Sequence, residues 1–146
     1  MIVSVRHVGI VVLDLDVALR FYHGLLGLPI VRQAQESGKA LNDMLGLESA
    51  KVTTIKLSCG YGCMVELLRF SWPESEFTDR EIYDHGISHI ALTVTDLDAE
   101  YRRLKLSGVR FVGEPVQSDF ARVVFAFDPD GNMIELVEEL NFPRAA

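Results

Sequence analysis

The sequence has 146 residues and a formal net charge of −7, with 49% hydrophobic and 24% charged residues. This balance is globular rather than disordered, and it fits one domain or two small, similar halves sharing a core. No basic cluster is present to bind phosphates and no apolar run nears the roughly 18 residues that span a bilayer, which argues against nucleic-acid and membrane partners.

The opening stretch, MIVSVRHVGI, enters a strand-like pattern with no basic region ahead of an apolar core, so a cytoplasmic protein is expected. Residues 2–13 are rich in Val and Ile and read as a strand. Asp14 and Asp16 offer N-caps, and 16–26 follow as a helix with Ala18, Phe21, Tyr22 and Leu25 on one face. At that spacing Phe21 and Tyr22 read as core. Gly27 suits a left-handed C-cap. A second strand is expected over 28–34, a short helical piece near 41–47, and strands over 51–58 and 63–70, with a Gly60–Gly62 turn between them. Cys59 and Cys63 are the only cysteines, and a lone Cys-x3-Cys reads as two reduced, small apolar residues rather than a zinc site.

Residues 71–86 hold Pro73, five acids and one base, and read as a linker. The order then repeats. A strand is expected over 87–95, a cap at Asp96 or Asp98, and a helix over 97–107 ending at Gly108. Strands follow near 109–113, 121–127 and 133–139. Asp128-Pro129-Asp130-Gly131 is a tight hairpin turn, since proline fixes its own torsion and glycine accepts a positive one. Residues 141–146 read as a loose tail.

The repeat is written in the residues. HVGIVVLDLD at 7–16 returns as HIALTVTDLD at 89–98, and Met-Val-Glu-Leu at 64–67 returns as Met-Ile-Glu-Leu at 133–136. One strand-helix-three-strand unit cannot bury both faces of its sheet, whereas two can pair and share a core. The duplicated positions include His7, Glu66, His89 and Glu135. Glu66 and Glu135 sit among apolar strand residues, where an unpaired buried carboxylate costs several kcal/mol. A basic partner such as Arg69 or Arg122 would compensate them. A metal would do so better, because the two histidines supply further ligands. Two imidazoles and two carboxylates suit zinc, nickel, cobalt, manganese or iron. The competing reading puts both glutamates at exposed strand edges, with a repeat that is only architectural.

These stretches resemble the vicinal oxygen chelate superfamily, which includes glyoxalase I, methylmalonyl-CoA epimerase, extradiol dioxygenases and the fosfomycin- and bleomycin-resistance proteins. The resemblance is carried by His7-Val8-Gly9-Ile10, Phe21-Tyr22, Leu26-Gly27-Leu28, Glu66, His89-Ile90-Ala91-Leu92, and Asp128-Pro129-Asp130-Gly131-Asn132 leading to Ile134-Glu135-Leu136. It implies an α+β fold of two paired βαβββ modules in a half-open eight-stranded barrel around a divalent metal. The expected organisation is one domain over 1–146, made of a first module at 1–70, the linker at 71–86, a second module at 87–140 and the tail. The family's ligand positions match His7, Glu66, His89 and Glu135.

An acid at Glu66 resembles the isomerase and lyase branch more than the dioxygenases or fosfomycin transferases. Glyoxalase I carries an Arg four residues after its first metal ligand and an Asn four residues after the Glu, both serving glutathione. Here those places hold Val11 and Phe70, which argues against glutathione hemithioacetal. The expected reaction is proton transfer beside the carbonyl of a small substrate, with the metal as Lewis acid and Glu135, with Glu66 opposite, moving the proton. A metal-free binding protein and an iron-dependent dioxygenase are the rival readings. Residues 35–50 and 71–86 are expected to line or cover the cleft, with Tyr83, His85 and Arg122 as candidate contacts beside Tyr61 and Trp72, although a solvated surface role is the better expectation for each. A homodimer is expected.

Overall fold

The computed structural model describes residues 1–140; the expected tail at 141–146 lies outside them. The chain divides into two compact units, the first Met1–Thr78 and the second beginning at Asp79, a division that falls within the stretch read as a linker. Both units are α+β, with one four-stranded mixed sheet each.

In the first unit β1 is His7–Val11, α1 is Leu15–Leu19, β2 is Ile30–Ser37, α2 is Lys39–Leu45, β3 is Lys51–Ser58 and β4 is Met64–Trp72. The strand order is β1-β4-β3-β2, with β1 parallel to β4 and the other pairs antiparallel. Of the two aspartates before the helix, Asp14 is the cap, accepting from the Val17 amide at 2.9 Å. The expected helix over 16–26 changes pitch halfway. Arg20–Leu25 form a wider π turn, closed by the Leu26 amide donating to the Phe21 carbonyl. That turn buries Phe21 and Tyr22, which meet edge to face at 5.0 Å, so both belong to the core.

Strand alternation sorts the sheet into two faces. Ile10, Ile55, Leu57, Val65 and Leu67 share one face and are all buried. His7, Gly9 and Val11 share the other with Met64, Glu66, Leu68 and Phe70. The far end of that second face is apolar: Leu68 and Phe70 pack on a small cluster of Leu41, Ala50 and Val52, with Leu41 supplied by α2.

The second unit repeats the plan. There β5 is His89–Thr93, α3 is Leu97–Leu106, β6 is Val116–Gln117, β7 is Ala121–Phe127 and β8 is Met133–Glu139, in the order β5-β8-β7-β6. Asp96 caps α3 through the Ala99 amide, and Asp98 turns instead to Arg122. The turn after β7 forms as expected: the Gly131 amide donates to the Asp128 carbonyl, with Gly131 at φ +87°. Several strand expectations need correction: the second strand, expected over 28–34, is Ile30–Ser37, and the one expected over 87–95 is His89–Thr93. The first strand covers only 7–11 of the expected 2–13, because residues 1–6 are exposed and meet no neighbouring strand. The fourth starts one residue late and runs to Trp72. No strand forms over 109–113: Phe111 makes a single bridge to Ala126, and the edge strand is the short β6 further on.

Candidate functional site

His7 and Glu66 meet because of strand register. In the parallel pair β1/β4, His7 lies beside Met64, and Gly9 lies beside Glu66. His7 Nε2 lies 2.9 Å from Glu66 Oε2. A Cβ on Gly9 would stand 3.1 Å from the Leu68 side chain. Glu66 lies on an inner strand and is only 8% exposed. Its other oxygen faces a partner that the sequence reading missed. Lys56, directly opposite on β3, brings Nζ to 3.3 Å from Glu66 Oε1. Lys56 therefore compensates Glu66, and the expected Arg69 and Arg122 do not. Arg69 donates to the Phe70 carbonyl, and Arg122 is bound in the second unit by Asp98 and Glu138. The signal for Lys56 was a lysine in the strand KVTTIKLS, but only pairing register shows which residue it faces. His7 Nδ1 is buried with no hydrogen-bond partner.

The second unit holds the equivalent pair in different surroundings. His89 lies beside Met133 and Ala91 beside Glu135, again a small residue next to the carboxylate. His89 Nε2 is 3.3 Å from Glu135 Oε2. Its Nδ1 lies 2.9 Å from the Ser88 hydroxyl, a contact that holds the ring's orientation. Where the first unit has Lys56, the register sets Phe125 opposite Glu135. Phe125 meets the His89 ring edge to face, with centroids 5.1 Å apart. Both glutamates thus sit on inner strands, which removes the reading of two exposed edge carboxylates.

Each unit brings together one imidazole nitrogen and one carboxylate oxygen. Among the described residues, no group of three or more His, Cys, Asp or Glu side chains is gathered as a metal site. An imidazole nitrogen beside a carboxylate oxygen in each unit is a donor set that a divalent transition metal accepts.

Other expected contacts lie elsewhere. Val11 is half-exposed on the same face as Glu66, and Phe70 is packed into the cluster near α2. Tyr61, Trp72 and Tyr83 are exposed, and the His85 carbonyl accepts from Arg80. Cys59 and Cys63 are free thiols. Burial, followed by the neighbouring Cys63, pushes the Cys59 thiol up from its ordinary value. Among the described residues no helix is long and apolar enough to cross a membrane.

Two βαβββ modules of one topology, each with a histidine and a glutamate on adjoining inner and edge strands, define a recognisable class of protein. The chain belongs to the Glyoxalase/Bleomycin resistance protein/Dioxygenase superfamily, which it matches over residues 4–136. It is 30% identical over 136 residues to a probable lactoylglutathione lyase from Synechocystis, covering 90% of this chain and 92% of that one. It is 29% identical over 156 residues to a 2-epi-5-epi-valiolone epimerase from Actinomyces, covering 99% and 82%. The crystal structure of a glyoxalase family protein from Bacillus cereus superposes with a TM-score of 0.87 at 29% identity, covering 97% of each chain.

Proposed function

We propose that this protein is a divalent-metal-dependent isomerase, epimerase or lyase that removes a proton next to the carbonyl of a small substrate. The observation carrying this reading is the pair of His–Glu contacts, His7–Glu66 and His89–Glu135, at matching register positions in the two modules. Relatives named as a lyase and an epimerase support the reaction class.

His7, Glu66, His89 and Glu135 would hold the metal, with zinc, nickel, cobalt, manganese and iron all suited to that donor set. When bound, the ion supplies Lewis acidity that favours negative charge on a carbonyl oxygen. Glu135 takes the proton from the adjacent carbon and returns it, acting as base and then as acid. His89, held by Ser88 and Phe125, fixes where the Glu135 carboxylate lies. Glu66 is a second carboxylate able to act from its own module, although Lys56 and His7 already engage both of its oxygens.

The substrate is not a glutathione hemithioacetal in this reading. Val11 and Phe70 offer no hydrogen bond to a peptide carboxylate or amide, and Phe70 is committed to packing against Leu41, Ala50 and Val52. The reading also keeps the protein cytoplasmic and homodimeric, which a sedimentation measurement checks for the dimer.

The test is deuterium exchange at the substrate's α-carbon, followed by NMR across a panel of small hydroxy- and oxo-carbonyl compounds with metal-loaded protein. Wild type is expected to exchange at least one of them. Glu135→Gln is expected to retain most of the metal and lose that exchange. Retained exchange in the variant would remove Glu135 as the base. Purified protein that takes up no divalent metal would favour a binding protein instead.

A further inference from the structure

We infer that Lys56 is an internal rival of the metal: its ammonium neutralises Glu66 and opposes metal loading at the His7–Glu66 pair. The inference rests on the metal reading above and deepens it. A carboxylate as buried as Glu66 needs a counter-charge. The β3/β4 register provides one by placing Lys56 directly across from it, with Nζ 3.3 Å from Oε1. Oε2 faces His7 Nε2 at 2.9 Å, so both oxygens of Glu66 have protein partners. Among the described residues, Glu66 is the only carboxylate within ion-pair distance of Lys56, so the ammonium has no second anion to which it can retire.

The repeat supplies its own control. At the matching position of the second module the register sets Phe125 opposite Glu135. An uncharged ring leaves Glu135 with its histidine and no competing cation. The two pairs therefore have the same donor types, with a cation beside the first and an uncharged ring beside the second. A divalent ion accepted by Glu66 would share that carboxylate with an ammonium a few ångströms away. Like charges at such range in a partly buried place repel strongly, and the lysine withdraws electron density from the oxygen that the ion needs. Lys56 thus acts through Glu66 as a positioning residue and is no ligand itself. The alternative role is the reverse one, an outer partner that orients Glu66 and strengthens metal binding.

The two roles predict opposite signs. Isothermal titration of Co2+ into metal-free wild type, Lys56→Met and Lys56→Arg reads the affinity, and thermal unfolding of the metal-free proteins reads the ion pair. Lys56→Met is expected to bind Co2+ on the order of 10-fold tighter, the lower end of what outer partners of metal ligands commonly change. Its metal-free form is expected to melt earlier than wild type, because Glu66 has lost its counter-charge. Lys56→Arg keeps the charge and is expected to stay near the wild-type affinity. If Lys56→Met does not fold, Lys56→Gln, which can hydrogen-bond Glu66 without charge, reads the same comparison. Equal or weaker Co2+ binding by the neutral variant, beside a wild type that binds, overturns the role of Lys56 alone. No Co2+ binding by any of them overturns the metal reading together with this inference.

Discussion

The rings of His89 and Phe125 meet edge to face, with centroids 5.1 Å apart and planes 85° apart. Phe125 is also the cross-strand register partner of Glu135, so its position adjoins both members of the second module's pair. Such ring contacts contribute about 0.5–1.5 kcal/mol beyond their buried area. Phe125→Leu is expected to cost about 1 kcal/mol in urea unfolding. It should also weaken metal binding several-fold by loosening His89, and a titration checks this.

Ser88 holds the opposite edge of the same imidazole through Nδ1. The hydroxyl is outside the proposed ligand set, yet it fixes which nitrogen is free to face Glu135. Ser88→Ala is expected to leave the unfolding midpoint nearly unchanged, since the contact is exposed. The expected loss is in metal affinity, on the order of 10-fold, the scale seen when a ligand's outer partner is removed. An unchanged metal isotherm would show that Phe125 alone suffices to set the ring.

Gly9 marks where backbone must stay bare. Its neighbours in register are Glu66 and, two residues on, Leu68, whose side chain lies 3.1 Å from where a Cβ would stand. Gly9→Val is expected to destabilise by about 1–3 kcal/mol through overpacking. It should also disturb the His7–Glu66 contact, because Gly9 is the register partner of Glu66. Urea midpoints for Gly9→Ala and Gly9→Val, with the larger side chain worse, check the cause.

Arg122 predicts a pH effect. Its guanidinium hydrogen-bonds Asp98 and thereby holds that half-exposed carboxyl below its ordinary value of 3.8. A carboxyl lowered in the folded state stabilises the protein above the unfolded value and loses that contribution as pH falls through the folded one. Arg122→Gln is therefore expected to be less stable than wild type near neutral pH. The gap should close as the solution is taken below the carboxylate range. Paired urea unfolding curves at both ends of that range check the sign.

Much of the architecture was legible in the residues. The two copies of His-x8-Asp with their apolar, β-branched runs placed β1 and β5, and the Asp-Pro-Asp-Gly turn placed β7 against β8. These signals are local: alternation, caps and turn torsions are properties of a few adjacent residues. The sequence missed where locality ends. Phe111 looked like part of a strand but found one bridging partner, and the edge strand formed at Val116–Gln117 instead. The helix at 16–26 widened into a π turn, which a helical apolar pattern does not distinguish from an α turn.

The candidate site divides the same way. The sequence by itself determined that two histidines and two glutamates recur, because each lies in a short stretch that is written twice, HVGIVVLDLD and HIALTVTDLD, Met-Val-Glu-Leu and Met-Ile-Glu-Leu. It also placed apolar residues, Val11 and Phe70, four positions after His7 and Glu66. Only the tertiary structure decided what surrounds each glutamate. Lys56 faces Glu66 and Phe125 faces Glu135 because of cross-strand register, which joins positions 10 residues apart in each module, and no single strand carries that information. A carboxylate's electrostatic setting comes from the residues across the sheet, so two halves that read alike along the chain became unlike once folded.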